Sequence, residues 1–183
     1  LRLKQKYYTR PNRKIITGSK YPTLVINYQK AIPGIVGSDA DYDVVKISLH
    51  DEIKLKMLGS TTYMITWGKF LTGKNVIFPD FHHFNGNKTL FSNFTLTKFN
   101  LLDYYMYSRT DEYIEAHLEH RFGGFITNKI PLVRKLKLSD IAGVHFLSTP
   151  SLPQYLEVFF GLEKLGVVRI DFVTGFSSSG QVS

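Results

Sequence analysis

The chain of 183 residues has no cysteine, which excludes disulfide scaffolds, thiolate nucleophiles and sulfur-ligated zinc while leaving the compartment open. It has no run of about 18 uncharged apolar residues either, so it encodes no transmembrane helix. The opening LRLKQKYYTRPNRK lacks the apolar stretch and small-residue cleavage site of a signal peptide. A glycine-rich phosphate loop, a nucleophile elbow and a paired acid and base at recognisable spacing are also missing. No catalytic residue is therefore assigned, and an enzyme is not expected. What the chain does have is 43% hydrophobic and 14% aromatic residues, too apolar for disorder and enough for one domain with a real core. A formal charge of +8 calls for an anionic partner, whether nucleic acid, lipid head groups or acidic glycans.

Side-chain character alternates with a period of two almost throughout. In YIEAHLEHRF, residues 113 to 122, one face carries Tyr113, Glu115, His117, Glu119 and Arg121, and the other Ile114, Ala116, Leu118, His120 and Phe122. The clearest case is VVKISLHDEIKLK, residues 44 to 56. There Val45, Ile47, Leu49, Ile53 and Leu55 oppose Lys46, Ser48, His50, Glu52, Lys54 and Lys56, with Asp51 the one break in the apolar row. The same period recurs in LRLKQKYY, TLVINYQKA, TTYMITWGKF, LKLSDIAGVHFL (broken at Asp140), QYLEVFFGLE and VVRIDFVTGF, giving about eight antiparallel strands. MLGS and KLGV read as hairpin turns. Residues 9 to 22, 123 to 135 and above all 69 to 112 read as long connections.

Compact soluble domains seldom hold so long a loop, since their connections run to about 4 to 6 residues. Membrane barrels alternate short turns on one rim with long loops on the other. A lipid-facing Lys or Arg near the bilayer midplane costs about 2 to 4 kcal/mol, and no apolar row has one in its middle. Tyr28, Tyr63, Trp67, Phe122 and Phe176 lie near strand ends, where interfacial girdles sit. The pattern also fits a soluble basic all-β module, so both stand at this point. Because Leu1 is not methionine, LRLKQKYY alternates from its start and GQVS stops just after the turn-like SSSG, the chain reads as an interior piece of a longer protein. An incompletely closed sheet is expected in that case.

The segments YYTRPNRK, GSKYPTLVINYQKAIPG, FPDFHHFNGN, LLDYYMYS, YIEAHLEHRFGGFITNKIPLVRKLKL and VRIDFV, taken together, resemble the C-terminal barrel of an uncharacterised Bacteroidota outer-membrane family whose members carry an N-terminal carboxypeptidase-regulatory-like domain. More distantly, the last 75 or so residues resemble the closing strands of the BamA-type barrel superfamily. The resemblance implies one barrel portion over residues 1–183, an antiparallel transmembrane β-barrel in the outer membrane of a Gram-negative bacterium. Its implied role is in envelope biogenesis or outer-membrane protein assembly and translocation, with outer-membrane lipids and other outer-membrane or periplasmic proteins as partners and no nucleic acid. A passive pore, receptor or structural barrel is the alternative. In BamA-type barrels the long loop enters the lumen and an arginine in a short R-G-F/Y motif meets a wall carboxylate. Here Phe84, Asn85, Gly86 and Asn87 stand in that place beside His83, the arginine is absent, and Glu119 matches the wall acid.

The expected lumen-facing polar residues are Lys46, His50, Glu52, Glu115, His117, Glu119, Arg121, Arg169 and Asp171. Glu115, His117 and Glu119 have a spacing that would suit a metal, but a charge ladder paired with Lys46, Arg169 and Asp171 is the preferred reading, and no metal or cofactor is assigned. His82 and His83 read as structural. The basic run PLVRKLK reads as a rim beside anionic head groups rather than a nucleic-acid site. Gly86, flanked by asparagines, is expected to turn with positive φ.

Overall fold

A computed structural model describes every residue except 2–3, 20, 35–36, 87–94, 125–126, 130, 165–166, 179 and 183, and gives backbone alone for 5–6, 16–18, 128, 132–133 and 180–182. Asn87 therefore lies outside the described residues. Strands β1 (Gln5–Arg10) and β2 (Arg13–Ser19) form a separate hairpin. Strands β3 (Thr23–Ala31), β4 (Asp41–Lys54), β5 (Ser60–Asn75), β6 (Tyr113–Arg121), β7 (Leu138–Thr149), β8 (Leu152–Lys164), β9 (Val168–Ser177) and β10 (Gly180–Val182) form one antiparallel sheet. Its strands lie in sequence order, each bonded to its chain neighbours, and β3 and β10 are its edges, so the sheet is open. One short helix, α1 (Pro131–Arg134), lies in the connection between β6 and β7.

Three boundaries differ from the sequence reading. Residues 9 to 22 are not a plain connection: Pro11 and Asn12 make a two-residue turn, and Arg10 pairs with Arg13 across it. The first strand thus sits in its own hairpin, and the eighth strand of the sheet is β10, which follows the SSSG turn. The long connection begins at 76 rather than 69. GKFLTGKN continues β5 against β4 through two register shifts, and its lysines and glycines hide the alternation. The expected split into a long-loop rim and a short-turn rim does not hold either. Connections 76–112 and 122–137 leave opposite ends of β6, and the two-residue turn at 150–151 shares an end with the longer of them.

The sheet's two faces have inverted character. One continuous row runs across seven strands in register, Leu24, Leu49, Ile65, Ala116, Phe146, Leu156 and Phe176. On this face Phe172 is 72% exposed and Ile170 62%. The opposite face carries the polar rows, yet there Glu157 is 0% and His117 1% exposed. The cover is the 76–112 connection, whose Phe84, Phe99, Leu102 and Tyr107 form the main buried cluster with Tyr113, Leu147 and Tyr155 of the sheet. Two of the polar residues in the apolar rows, Asp140 and His120, find local hydrogen-bond partners. Asp140 accepts the Thr127 amide at 3.2 Å beneath the 122–137 connection. His120 meets Thr61 Oγ1 at 2.8 Å and the Leu58 carbonyl at 3.0 Å.

Candidate functional site

The site is the polar face together with the segment folded over it, in three levels set by strand register. At the first, Lys46, Gly68 and Tyr113 lie in one cross-strand row. The Tyr113 ring lies flat across Gly68, where an added Cβ would collide with it. His82 stacks on that ring at 4.0 Å and 6°, meets Phe84 edge-on at 4.7 Å, and takes a hydrogen bond at Nδ1 from Lys46 Nζ at 3.2 Å. Gly68→Ala should therefore cost about 1–3 kcal/mol through displacement of the ring, read as a lowered equilibrium unfolding midpoint with unchanged denaturant slope.

His82 belongs to the connecting segment, outside the strands. Burial first, then the Lys46 ammonium and neighbouring His83, push its imidazole down from 6.5 to about 3. A neutral ring is what accepts from Lys46. The unfolded chain takes up this proton near 6.5 and the folded one only near 3, so stability is intact above the first value and drains as pH falls towards the second. Protection of the amides of residues 81–84, taken relative to their intrinsic exchange at each pH, should fall progressively below pH 6.5, and His82→Phe, which keeps the stack, should flatten that dependence.

At the second level, His117, His145 and Glu157 share a row. The two imidazoles meet Nδ1 to Nδ1 at 2.8 Å, so one donates to the other. Phe99, fully buried, packs on His117 at 4.9 Å. Glu157 holds the covering segment: its carboxylate accepts the Asn100 amide at 2.7 Å, the Leu101 amide at 2.8 Å and the Tyr155 hydroxyl at 2.7 Å. Tyr107 adds a bond to the Pro153 carbonyl at 3.1 Å.

At the third level, Glu119 accepts from Arg169 Nη1 at 2.7 Å and from Arg121 Nε at 3.0 Å. Arg169 Nε also donates to both Asp171 oxygens, at 2.8 and 2.7 Å. To reach β6 from β9 its guanidinium crosses the Phe159 ring, 5.1 Å from the centroid. That ring in turn occupies the place a side chain at Gly143 would fill. Glu115 lies 3.9 Å from His117, and among the described residues no three metal-ligating side chains are gathered. His50 and Glu52 sit on the same face, Glu52 at the mouth of a cleft at the Lys54 end of β4.

The loop motif is placed differently from its reading in sequence. His83 Nδ1 meets Ser108 Oγ at 2.7 Å, within the covering segment itself. Phe84 is buried against Tyr113. Asn85 contributes its carbonyl, which accepts the Phe99 amide at 2.8 Å. Gly86 does not use the left-handed region: its requirement is close approach, since a Cβ there would strike the Leu102 carbonyl. Lys46 and His82, both noted in the sequence, join segment to sheet at the first level, whereas Glu157, Tyr155, Asn100 and Leu101, which join them at the second, were not singled out. The one available signal was an acid in the middle of the polar row of QYLEVFF. A family model described as the C-terminal domain of a family of unknown function (DUF5686) matches residues 1–162. No curated protein matches the chain, and no solved structure does.

Proposed function

The chain belongs to the family of unknown function DUF5686, matching its C-terminal domain, and from that premise we propose that it forms wall and plug of an integral outer-membrane β-barrel. The observation that carries this reading is the inversion of burial: Glu157 is 0% exposed on one face while Phe172 is 72% exposed on the other. Water penalises large contiguous apolar surface, whereas lipid rewards it. Trp67 lies in the middle of β5 rather than near its end, and its indole donates to Glu112 at 2.9 Å beside the start of β6. The Glu112 carboxyl is held below its usual range by that bond and by Lys69.

Residues 76–86 and 95–112 would then fill the lumen, which favours a plugged barrel over an open passive pore. A kinship with BamA-type barrels, and with it a role in envelope biogenesis or protein assembly, belongs to the proposal, with one departure. Glu119 is taken by Arg169 of the wall, and the segment is docked through Glu157 instead.

Val158→Lys tests the membrane reading, because the two environments give different magnitudes. Val158 lies mid-strand on the apolar face. A lysine there costs about 2 to 4 kcal/mol against lipid near the midplane, but under about 0.5 kcal/mol at an ordinary wetted surface. Folding equilibria in liposomes against urea should show the larger loss. A small loss, together with a monodisperse protein in detergent-free buffer, would leave the soluble all-β module standing.

A further inference from the structure

At the end of the polar face away from the long connection lies a cleft of about 360 Å³, and the geometry points to it as a binding site for a phosphate group. The register supplies the reason. Lys54, Ser60 and Arg121 form one cross-strand row on adjacent strands, so a hydroxyl stands between two cations with strands about 4.8 Å apart. Lys56 joins them from the turn, held at φ 54, a left-handed conformation that a lysine rarely adopts. Among the described residues Lys54 and Lys56 have no anionic partner. Arg121 spends its Nε on Glu119 and reaches Glu163 only at 3.6 Å, leaving guanidinium donors over.

The backbone also opens this place. Gly123, at φ 62, has nothing within 4 Å of where a Cβ would stand, so a ligand can approach the main chain there. Glu52 is the one acid in the lining; with the charge of Arg121 met by Glu119 and Glu163, Lys54 and Lys56 still outnumber it and leave the cleft net positive. A tetrahedral oxyanion that accepts from ammonium, guanidinium and hydroxyl donors together suits this set better than a planar carboxylate. The phosphate comes either free in solution or on a lipid head group. The basic run Arg134, Lys135 and Lys137, exposed on the connection leaving the same end, adds attraction without belonging to the cleft. None of this depends on which solvent the apolar face meets.

The test uses the whole chain held monodisperse in an uncharged detergent and titrated calorimetrically with inorganic phosphate. Lys54→Gln with Lys56→Asn should weaken binding about fivefold or more; asparagine accepts the positive φ at residue 56. The control is Lys135→Gln with Lys137→Asn, which removes the same charge from the same end and also replaces a lysine at left-handed φ, 52. This control, which removes only screened long-range attraction, should weaken binding less than about twofold. Equal weakening in both doubles would reduce the effect to net charge and overturn the site, as would acetate binding as tightly as phosphate. Lys54→Gln alone, away from the strained turn, should still weaken binding, so misfolding of the double cannot mask the answer. Short-chain phosphatidic acid that displaces inorganic phosphate at equal phosphate concentration assigns the site to a head group, and inert phosphatidic acid assigns it to the free ion.

Discussion

In Glu157→Ala, the amides of Asn100 and Leu101 exchange with solvent about a hundredfold faster than in the parent, while those of β7 and β8 keep their protection. The number follows from the bonds removed. Both amides donate to one carboxylate in a fully buried place, and bonds to a charged acceptor contribute about 1.5–3 kcal/mol each. Two at the low end make about 3 kcal/mol, or two decades in a local opening equilibrium. Glu157→Gln should give most of the same effect, because its single carbonyl oxygen cannot serve three donors and its amide group would point a donor at a donor. If exchange hardly changes in either variant, Phe99 and its ring contacts hold the segment down and the carboxylate is incidental.

Arg169→Met should cost about 3–5 kcal/mol, the largest loss expected of any single change. The methionine keeps the stem's bulk over Phe159 but leaves Glu119 and Asp171 without the cation between them. With its side chain 5% exposed, solvent cannot replace what the guanidinium supplied. Adding Glu119→Gln and Asp171→Asn to Arg169→Met should recover part of the loss, because neutral amides no longer need a cation. A loss under about 1 kcal/mol would put this network in the class of surface ion pairs, which contribute little.

The strands were legible because each carries its own evidence. Alternation in residues 44 to 56 or 113 to 122 fixes both the strand and the face, and the ladder from β3 to β9 follows from neighbours pairing with neighbours. The polar row was legible in the same way: Glu119, Arg169 and Asp171, chosen for their face, do meet. Arg13–Ser19 was hidden because its Pro-Asn turn was read as part of a loop, and β5 ran past its expected end because GKFLTGKN alternates poorly. The docking of 76–112 was not legible for a deeper reason. Asn100 and Leu101 act through backbone N–H groups that almost any residue has, so no residue type marks them. Gly86 shows the same limit: its neighbours pointed to a turn, whereas what it avoids is a carbonyl sixteen positions on, at Leu102.

Neighbour-to-neighbour pairing in the sheet has a kinetic consequence. Strands joined by short turns, β4 with β5 and β7 with β8 and β9, bring together residues close in sequence, so their hairpins can form early and independently. The β5–β6 ladder closes across residues 76–112, the longest connection in the sheet, and bears the largest loop-closure entropy. That seam is the natural late step of assembly, and until it shuts the two half-sheets expose their ionic rows to whatever surrounds them.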